Sequence, residues 1–355
     1  MKTKQKPILY IHNVKSSFVD KDIEILSTEF KLSTFYFNVS PKSQVIPSFI
    51  KQLIFLFTHL QSEIYVIQFG GFHSLFPVLF AKLFNKKSII ILGGTDCVSF
   101  PTINYGNFNR KLLRIFTKIS LKNASLLLPV DDTLIHYKYE YQKNDFEYQG
   151  YKNFIPSIKT PVKVIHNGYD SKKWNPQITQ KEPNSFVTIG ANLGSRFGVK
   201  LKGIDLIIEV AKTLPDCQFY IIGGKGLDDN EIPSNIHLLD KIPNQELANY
   251  LASKSFYLQL SMSEGFPNAL CEAMLCGCIP IVSAVGAMPM IVGDTGFVLR
   301  QKDVTQLKKL IDSVLHLENT EALILKCRQR IIENFPIEKR RQELISAVQE
   351  FSKND

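Results

Sequence analysis

Ser263-Glu264-Gly265-Phe266-Pro267-Asn268-Ala269-Leu270-Cys271-Glu272-Ala273-Met274-Leu275-Cys276-Gly277-Cys278-Ile279-Pro280-Ile281-Val282 places two glutamates eight residues apart across a turn and a helix start. Pro267 suits the first helical position, where its missing N–H costs nothing, and Gly277 stops the helix. Ile279 to Val282 then reads as a buried strand. Glu264 therefore sits on the loop entering the helix and Glu272 within it. A helix N-terminus exposes unpaired N–H groups and the positive end of its dipole, which makes a cradle for phosphate. Glutamates flanking such a cradle are placed to hold hydroxyls.

Working outward, short apolar strands alternate with helical patterns from end to end, which predicts α/β domains with largely parallel sheets. In the first half the strand candidates are Pro7 to His12, Ser33 to Asn38, Ile64 to Phe69, Ser88 to Leu92, Ser125 to Pro129 and Val162 to His166, with helices such as Asp20 to Phe30 and Phe108 to Lys122 between them. The rhythm restarts with Phe186 to Gly190, a helix from Gly203 to Leu214, and strands Phe219 to Ile222 and Phe256 to Leu260. Leu206, Ile207, Val210 and Ala211 share the core face of that helix. The break falls at Asn167-Gly168-Tyr169-Asp170 and the polar stretch beyond it, with Gly168 as the hinge marker. The expected division is an N-terminal domain over 1–168, a linker over 169–185 and a C-terminal domain over 186–355, whose last helix is able to pack back on the N-terminal domain.

A chain of 355 residues that is 45% hydrophobic is long enough for two cored domains. The formal net charge is +9, with Lys and Arg dispersed rather than massed in a tail. That disfavours a nucleic-acid arm and suits attraction to anionic phosphates or an anionic membrane surface. Cys97, Cys217, Cys271, Cys276, Cys278 and Cys327 show no paired Cys-x2-Cys zinc spacing and read as reduced, packed thiols of a cytoplasmic protein. The N-terminus is basic, but Ile8 to Ile11 is too short for a secretory signal. Lys51, His59, His73 and Lys82 interrupt the greasiest region, so no bilayer span is expected. Within it, Ser48 to Phe57 is aromatic-rich. Ile50, Leu53, Ile54 and Phe57 fall at core-facing helical spacing, so burial is one reading, and a helix lying at a membrane interface is the other.

The Glu264–Val282 segment, continued by Asp294-Thr295-Gly296-Phe297, resembles the Glu-x7-Glu signature of retaining glycosyltransferases of the GT-B fold, in particular family 4. The resemblance implies two Rossmann-like domains facing a central cleft, and transfer of a sugar from a nucleotide-diphosphate donor. It implies that Glu264 meets the donor sugar and Glu272 the ribose hydroxyls. The turn amides around Gly265, Phe266, Asn268 and Ala269 then meet sugar and diphosphate. Lys202 of Lys202-Gly203 matches the family lysine that meets the diphosphate. The family arginine is absent, its place taken by Ala191, and Arg196 further along the loop is the substitute candidate. Gly223-Gly224 resembles the family's second glycine turn.

On the N-terminal side, three features resemble the family: the early loop and helix from Ser17 to Leu26, Phe72-His73-Ser74, and Leu92-Gly93-Gly94-Thr95-Asp96. The last has Gly93 where many relatives carry histidine. Asp96 is read either as a catalytic group on the acceptor or sugar side of the cleft or as a turn cap, and His73 either as an acceptor-site residue or as a packed one. The resemblance implies neither cofactor nor metal. Its implied partners are the nucleotide sugar and a glycan or lipid-linked acceptor of polysaccharide or cell-envelope synthesis; the Ser48 to Phe57 segment and the net charge of +9 add a peripheral membrane contact at the inner face as an expectation. A GT-B nucleotide-sugar epimerase and a non-enzymatic nucleotide-sugar-binding assembly subunit stay open as alternatives. With no Gly-x-Gly-x-x-Gly after the first strand and no Gly-x4-Gly-Lys-Ser/Thr, a dinucleotide dehydrogenase and a P-loop ATPase are disfavoured.

Overall fold

Apolar strands flanked by amphipathic helices assemble into two parallel sheets. In the computed structural model, which describes residues 5–143, 145–176, 180–190, 193–195, 197–227 and 232–352, the first sheet comprises β1 (Pro7–His12), β2 (Lys31–Tyr36), β3 (Ile64–Gln68), β4 (Lys87–Leu92) and β5 (Leu126–Pro129). Their spatial order is β2-β1-β3-β4-β5, and every neighbouring pair is parallel. Helices α1 (Ser17–Ser27), α2 (Val45–Thr58), α3 (Phe72–Leu83) and α4 (Lys111–Asn123) connect them. β3 is buried at every position, as expected of a parallel strand covered on both faces. A short antiparallel pair, β6 (Tyr137–Lys138) and β7 (Tyr148–Gln149), and the single turn α5 (Tyr151–Phe154) follow.

The second sheet comprises β8 (Glu182–Ile189), β9 (Gln218–Ile222), β10 (Ile236–Leu239), β11 (Lys254–Gln259), β12 (Ile279–Ser283) and β13 (Phe297–Leu299), ordered β10-β9-β8-β11-β12-β13 and parallel throughout. Its helices are α6 (Gly198–Leu201), α7 (Ile204–Ala211), α8 (Asn244–Ala252), α9 (Asn268–Leu275), α10 (Met288–Val292), α11 (Val304–Leu315), α12 (Thr320–Asn334) and α13 (Ile337–Ser352). All six cysteines are buried free thiols.

Three local readings change. Val162 to His166 does not form a strand: it runs along β5 through Leu127 and Pro129 hydrogen bonds, but only Val162 makes a bridge. β8 begins at Glu182, where the Lys254 ammonium meets the Glu182 carboxylate across the strand pair. The largest change is α2, whose inward face is Ser48, Gln52 and Leu56 rather than Ile50, Leu53, Ile54 and Phe57. Gln52 donates to the carbonyl of His73 at 2.9 Å and Ser48 to that of Asn38 at 2.9 Å, so polar anchors hold the helix down. Ile50, Ile54 and Phe57 are left more than half exposed.

Two chain segments join the halves side by side. The N–H of Tyr169 donates to Phe335 O at 2.9 Å and the N–H of Ile337 to Tyr169 O at 3.0 Å. A Cβ on Gly168 would lie 2.8 Å from Ile337 Cα, so glycine is what lets the two crossings touch. Beyond the second crossing, α13 returns to the first sheet's domain. There Arg340 grips Asp22 of α1 through Nε–Oδ1 (2.8 Å) and Nη2–Oδ2 (2.6 Å), with both side chains buried.

Open parallel sheets bind ligands outside the carboxyl ends of their strands, where the strand order reverses. In the first sheet that point lies between β1 and β3; in the second it lies between β8 and β11.

Candidate functional site

Lys202 follows β8 and Glu264 follows β11, so the two flank the reversal point of the second sheet. Their side chains meet: Lys202 Nζ lies 2.6 Å from Glu264 Oε1. The same oxygen accepts from Ser261 Oγ at 2.8 Å and Gln259 Nε2 at 3.1 Å. Three donors on one oxygen fix the carboxylate in a single orientation, while no described hydrogen bond uses Oε2. Glycine makes the meeting feasible. Gly203 has φ +69°, and a Cβ there would fall 2.2 Å from Leu260 O, so only glycine brings Lys202 this close to the end of β11. Sequence reading named both residues; that they form one ion pair was not visible in it.

The turn after Glu264 is clamped from both domains. A Cβ on Gly265 would meet Gly93 O at 2.1 Å, and one on Gly94, whose φ is +141°, would meet Gly265 N at 3.3 Å. Backbone thus touches backbone across the cleft. Gly93, the position where a histidine was expected from the resemblance, has the Phe69 ring in the space a side chain would fill, 2.0 Å from the site of a Cβ. In the second glycine turn, Gly223 (φ +83°) lies against Gly190 O, 2.3 Å from where its Cβ would be, and Gly224 packs on Ile221 and Leu238. Both glycines shape the floor beside β8.

Glu272 points from α9 toward α1. Burial holds its carboxyl above the ordinary value, opposed by the charges of Lys21 and Lys173. Burial likewise lowers the pKa of Lys21, and the Glu272 charge opposes that shift. Lys21, over the Tyr169 ring at 5.1 Å, is a cleft residue that sequence reading missed, because a lysine on an amphipathic helix looks like solvent-facing charge. No described hydrogen bond occupies the Glu272 carboxylate.

Other residues of the signature have prior commitments. Asn268 Oδ1 accepts from Tyr169 Oη at 2.9 Å and Asn167 Nδ2 at 3.4 Å, tying the start of α9 to the crossover. The Phe266 ring is buried among His166 and Phe335, with centroids at 5.3 and 5.2 Å. Phe266 can therefore offer a ligand its backbone and not its ring. Ala269, half-buried at the first turn of α9, leaves that helix end open.

On the N-terminal side two expectations are corrected. Asp96 is 1% exposed and spends its carboxylate on backbone: Oδ2 accepts from Gly70 N at 2.9 Å, and Oδ1 from Gly94 N at 3.0 Å and Gly93 N at 3.2 Å. It is the turn cap of the two alternatives, holding the glycine loop that touches Gly265. Burial raises its pKa and those N–H groups oppose the rise. His73 is 1% exposed, with Nε2 2.6 Å from Gln68 O, and burial lowers its pKa to about 4. It is a neutral packing residue under α2, because the inward turn of that helix covers it. Tyr105, unforeseen, takes its place near the cleft: its hydroxyl lies 2.6 Å from Thr95 Oγ1 and its ring 5.4 Å from that of Phe197 across the domain boundary. Arg196 lies outside the described residues. Among those described, no group of three or more His, Cys, Asp or Glu is arranged to hold a metal ion.

Two Rossmann-like domains, a cleft closed by glycine-to-glycine contact, and a Lys–Glu pair beside a helix N-terminus define a GT-B fold. Residues 194–336 match the family described as glycosyl transferases group 1. The chain is similar to a phosphatidylinositol N-acetylglucosaminyltransferase component of Arabidopsis thaliana, 23% identical over 168 residues, which is 44% of this chain and 37% of that one. The match thus spans little more than a third of the relative's length. Among solved structures, sucrose-phosphate synthase from Thermosynechococcus elongatus superposes with a TM-score of 0.76 at 13% identity, covering 99% of this chain and 100% of the other. The Anabaena protein HepE in complex with UDP-glucose superposes with a TM-score of 0.69 at 13% identity, covering 97% and 99%.

Proposed function

We propose that this protein is a retaining glycosyltransferase of family 4 type, a hexosyltransferase that moves a sugar from a nucleotide-diphosphate donor to a glycan or lipid-linked acceptor in polysaccharide or cell-envelope synthesis. The observation that carries the reading is the oriented Glu264–Lys202 pair beside the open N-terminus of α9. Lys202 and the α9 amides offer positive charge to a diphosphate, and Glu264 Oε2 is presented to a sugar hydroxyl. The Glu272 carboxylate, further along the same helix and without a described hydrogen-bond partner, suits the ribose. The family match over residues 194–336 and a GT-B neighbour solved with UDP-glucose support the same donor class.

In the proposed reaction the bond between the anomeric carbon and the diphosphate oxygen breaks as the acceptor oxygen bonds to that carbon on the same face. The acceptor proton passes to the departing oxygen. Negative charge gathering on the diphosphate is met by Lys202 and the helix end, so no divalent metal is required and the nucleotide sugar is consumed as a substrate. An acceptor held by the N-terminal domain at the inner face of a membrane completes the reading.

Incubation with a panel of nucleotide sugars and cell-envelope glycolipid, followed by mass spectrometry, should reveal an added hexose, and the activity should persist in EDTA. Turnover of the donor with no acceptor present would instead mark an epimerase. Donor binding with no transfer to any extract would mark a non-enzymatic assembly component. Loss of transfer on chelation with recovery in magnesium or manganese would overturn the metal-free account.

A further inference from the structure

Charge and apolar exposure coincide on one face of the first domain. Between Lys31 and Val130 there are eleven Lys and Arg but only two acids, Glu63 and Asp96, so this stretch holds a formal excess of nine, equal to the net +9 of the entire chain. The basic residues are spread along the sequence, but outside this stretch they are matched in number by Asp and Glu. None of the eleven forms an ion pair among the described residues, and Asp96 is buried on backbone N–H groups. The same stretch contains twelve of the sixteen exposed large hydrophobic residues of the described chain, among them Ile46 (72%), Ile54 (59%), Leu83 (78%) and Leu112 (60%).

Most of these residues share the layer of α2, α3 and α4. α3 packs against both α2 and α4, and Phe49 of α2 reaches Phe76 of α3 at 4.9 Å and Phe116 of α4 at 6.2 Å. α4 carries Lys111, Arg114, Lys118 and Lys122 and no acid. An apolar surface bordered by cations that have no ion-pair partner among the described residues, with Glu63 the one exposed acid of the stretch, fits an anionic bilayer, where aliphatic side chains enter the acyl boundary and ammonium groups meet phosphate. A protein partner would need a strongly acidic rim to match it.

The same face opens inward. A cavity of about 840 Å³ lies between α2 and α4, with Ile46, Phe49, Leu112 and Phe116 among its walls. Ile46 and Leu112 belong both to its lining and to the exposed face. Its deep end reaches Gly70, Gly71 and Thr95, at the strand-order reversal of the first sheet and beside the Gly93–Gly94 loop that touches Gly265. Lys42 and Arg110, both without an ion-pair partner among the described residues, also line it. An apolar cavity with two cations that have no ion-pair partner among the described residues, extending from the exposed face to Thr95 and Asp96 beside the glycine loop, suits a lipid carrying phosphate.

We infer that the outer face of α2, α3 and α4 seats on an anionic bilayer and that the cavity between α2 and α4 takes the acceptor from that bilayer as a phosphate-bearing lipid. This rests on the glycosyl-transfer reading for what happens at the cavity's inner end, and not for the docking itself. The test is sedimentation of the full chain with phosphatidylcholine vesicles and with vesicles of phosphatidylcholine and phosphatidylglycerol at about three to one. Binding should occur to the mixed vesicles only and weaken as salt rises. With each basic residue contributing about a fivefold gain in partition, Lys111→Ala, Arg114→Ala and Lys118→Ala combined should weaken binding on the order of a hundredfold. Ile50→Ser with Ile54→Ser should weaken it at least tenfold.

Titration with a short-chain phosphatidic acid below its micelle concentration should show binding that Arg110→Ala weakens at least tenfold. Absence of vesicle binding, vesicle binding indifferent to both variant sets, or a dimer by ultracentrifugation that the Ile50 and Ile54 changes dissolve would overturn the docking face. Equal or absent phosphatidic acid binding would overturn the cavity assignment. UDP titration separates this from the functional reading. Vesicle binding without nucleotide binding would sink the transferase and leave the face, whereas sugar transfer to a soluble acceptor without vesicle binding would do the reverse.

Discussion

Lys202 and Glu264 hold each other, and this makes their separate roles measurable. In the proposed reaction a diphosphate at the α9 N-terminus would compete with Glu264 for the Lys202 ammonium, while Ser261 and Gln259 keep the carboxylate aimed. Glu264→Gln should therefore lower turnover roughly a hundredfold, the scale of one preorganised electrostatic contact, with little change in UDP affinity. Glu272→Ala should do the converse, raising the dissociation constant for the donor about tenfold. Titration calorimetry with UDP beside steady-state rates checks both, and wild-type turnover in Glu264→Gln would remove that residue from the site. His73 gives a pH signature. Its folded pKa of about 4 lies below the ordinary value of 6.5, so the unfolded chain binds the proton first. The stability at stake is fully present above pH 6.5 and is lost as pH falls toward 4, amounting to about 3 kcal/mol. In urea titrations from pH 7 to pH 4, His73→Gln should lack that part of the slope; an unchanged slope would show that His73 does not titrate in this window. The two glutamates and the lysine were legible from residue identity and spacing alone. The turn-capping role of Asp96 was one of its two readings, since Gly93 and Gly94 stand beside it in the chain. The commitments of Phe266 and Asn268 were not legible, because each depends on atoms about a hundred residues away in the chain.

Elements were legible wherever periodicity and punctuation agreed, and less so where polar anchoring overrode hydrophobic spacing. β1, β3, β9 and β12 stand within a residue or so of the apolar runs that announced them. α2 has the helical period foreseen but presents the opposite face, because Ser48 and Gln52 satisfy buried carbonyls that a leucine or isoleucine would leave unpaired. No sequence pattern reveals which carbonyls those are. Loops were harder still: nothing in Leu92-Gly93-Gly94 or Glu264-Gly265 announces that the two turns meet across the cleft. That contact yields a clean prediction at the level of elements. Gly265 lies outside the left-handed region, so alanine there brings no backbone strain, only a Cβ placed 2.1 Å from Gly93 O in the other domain. Gly265→Ala should hold the two loops apart, cutting turnover at least tenfold while each domain keeps its fold. A small-angle scattering radius larger than wild type, with an unaltered circular dichroism spectrum, would accompany the loss. Normal turnover would mean that the loops part without consequence.

Across the whole molecule, two sheets legible as separate α/β units are joined by a strap whose partners lie 318 residues apart. Asp22 is 0% and Arg340 5% exposed, and the guanidinium also donates from Nη1 to His166 O at 3.0 Å and Ile165 O at 3.3 Å, just before the first crossover. One side chain thus ties α13 to α1 and to the end of the first domain, beside the paired crossings at Tyr169 and Ile337. A charge pair buried this completely offsets a large desolvation cost, so its net contribution is small while the penalty for removing one partner is large. Arg340→Met should therefore destabilise the protein by about 3–5 kcal/mol, leaving the Asp22 carboxylate buried and unpaired. Asp22→Leu combined with Arg340→Met should recover most of that loss, since no lone charge remains. Chemical denaturation of the two single variants and the double variant measures the cycle. The two single variants should each lower the denaturation midpoint, with the double variant closer to wild type than either. If the double variant loses the sum of the two single losses, the pair is not coupled, and α13 is held to the first domain by its apolar contacts alone. If it recovers stability but transfers sugar more slowly, the strap sets the relative position of the two domains as well as holding them, and the cleft geometry at Gly94 and Gly265 depends on it.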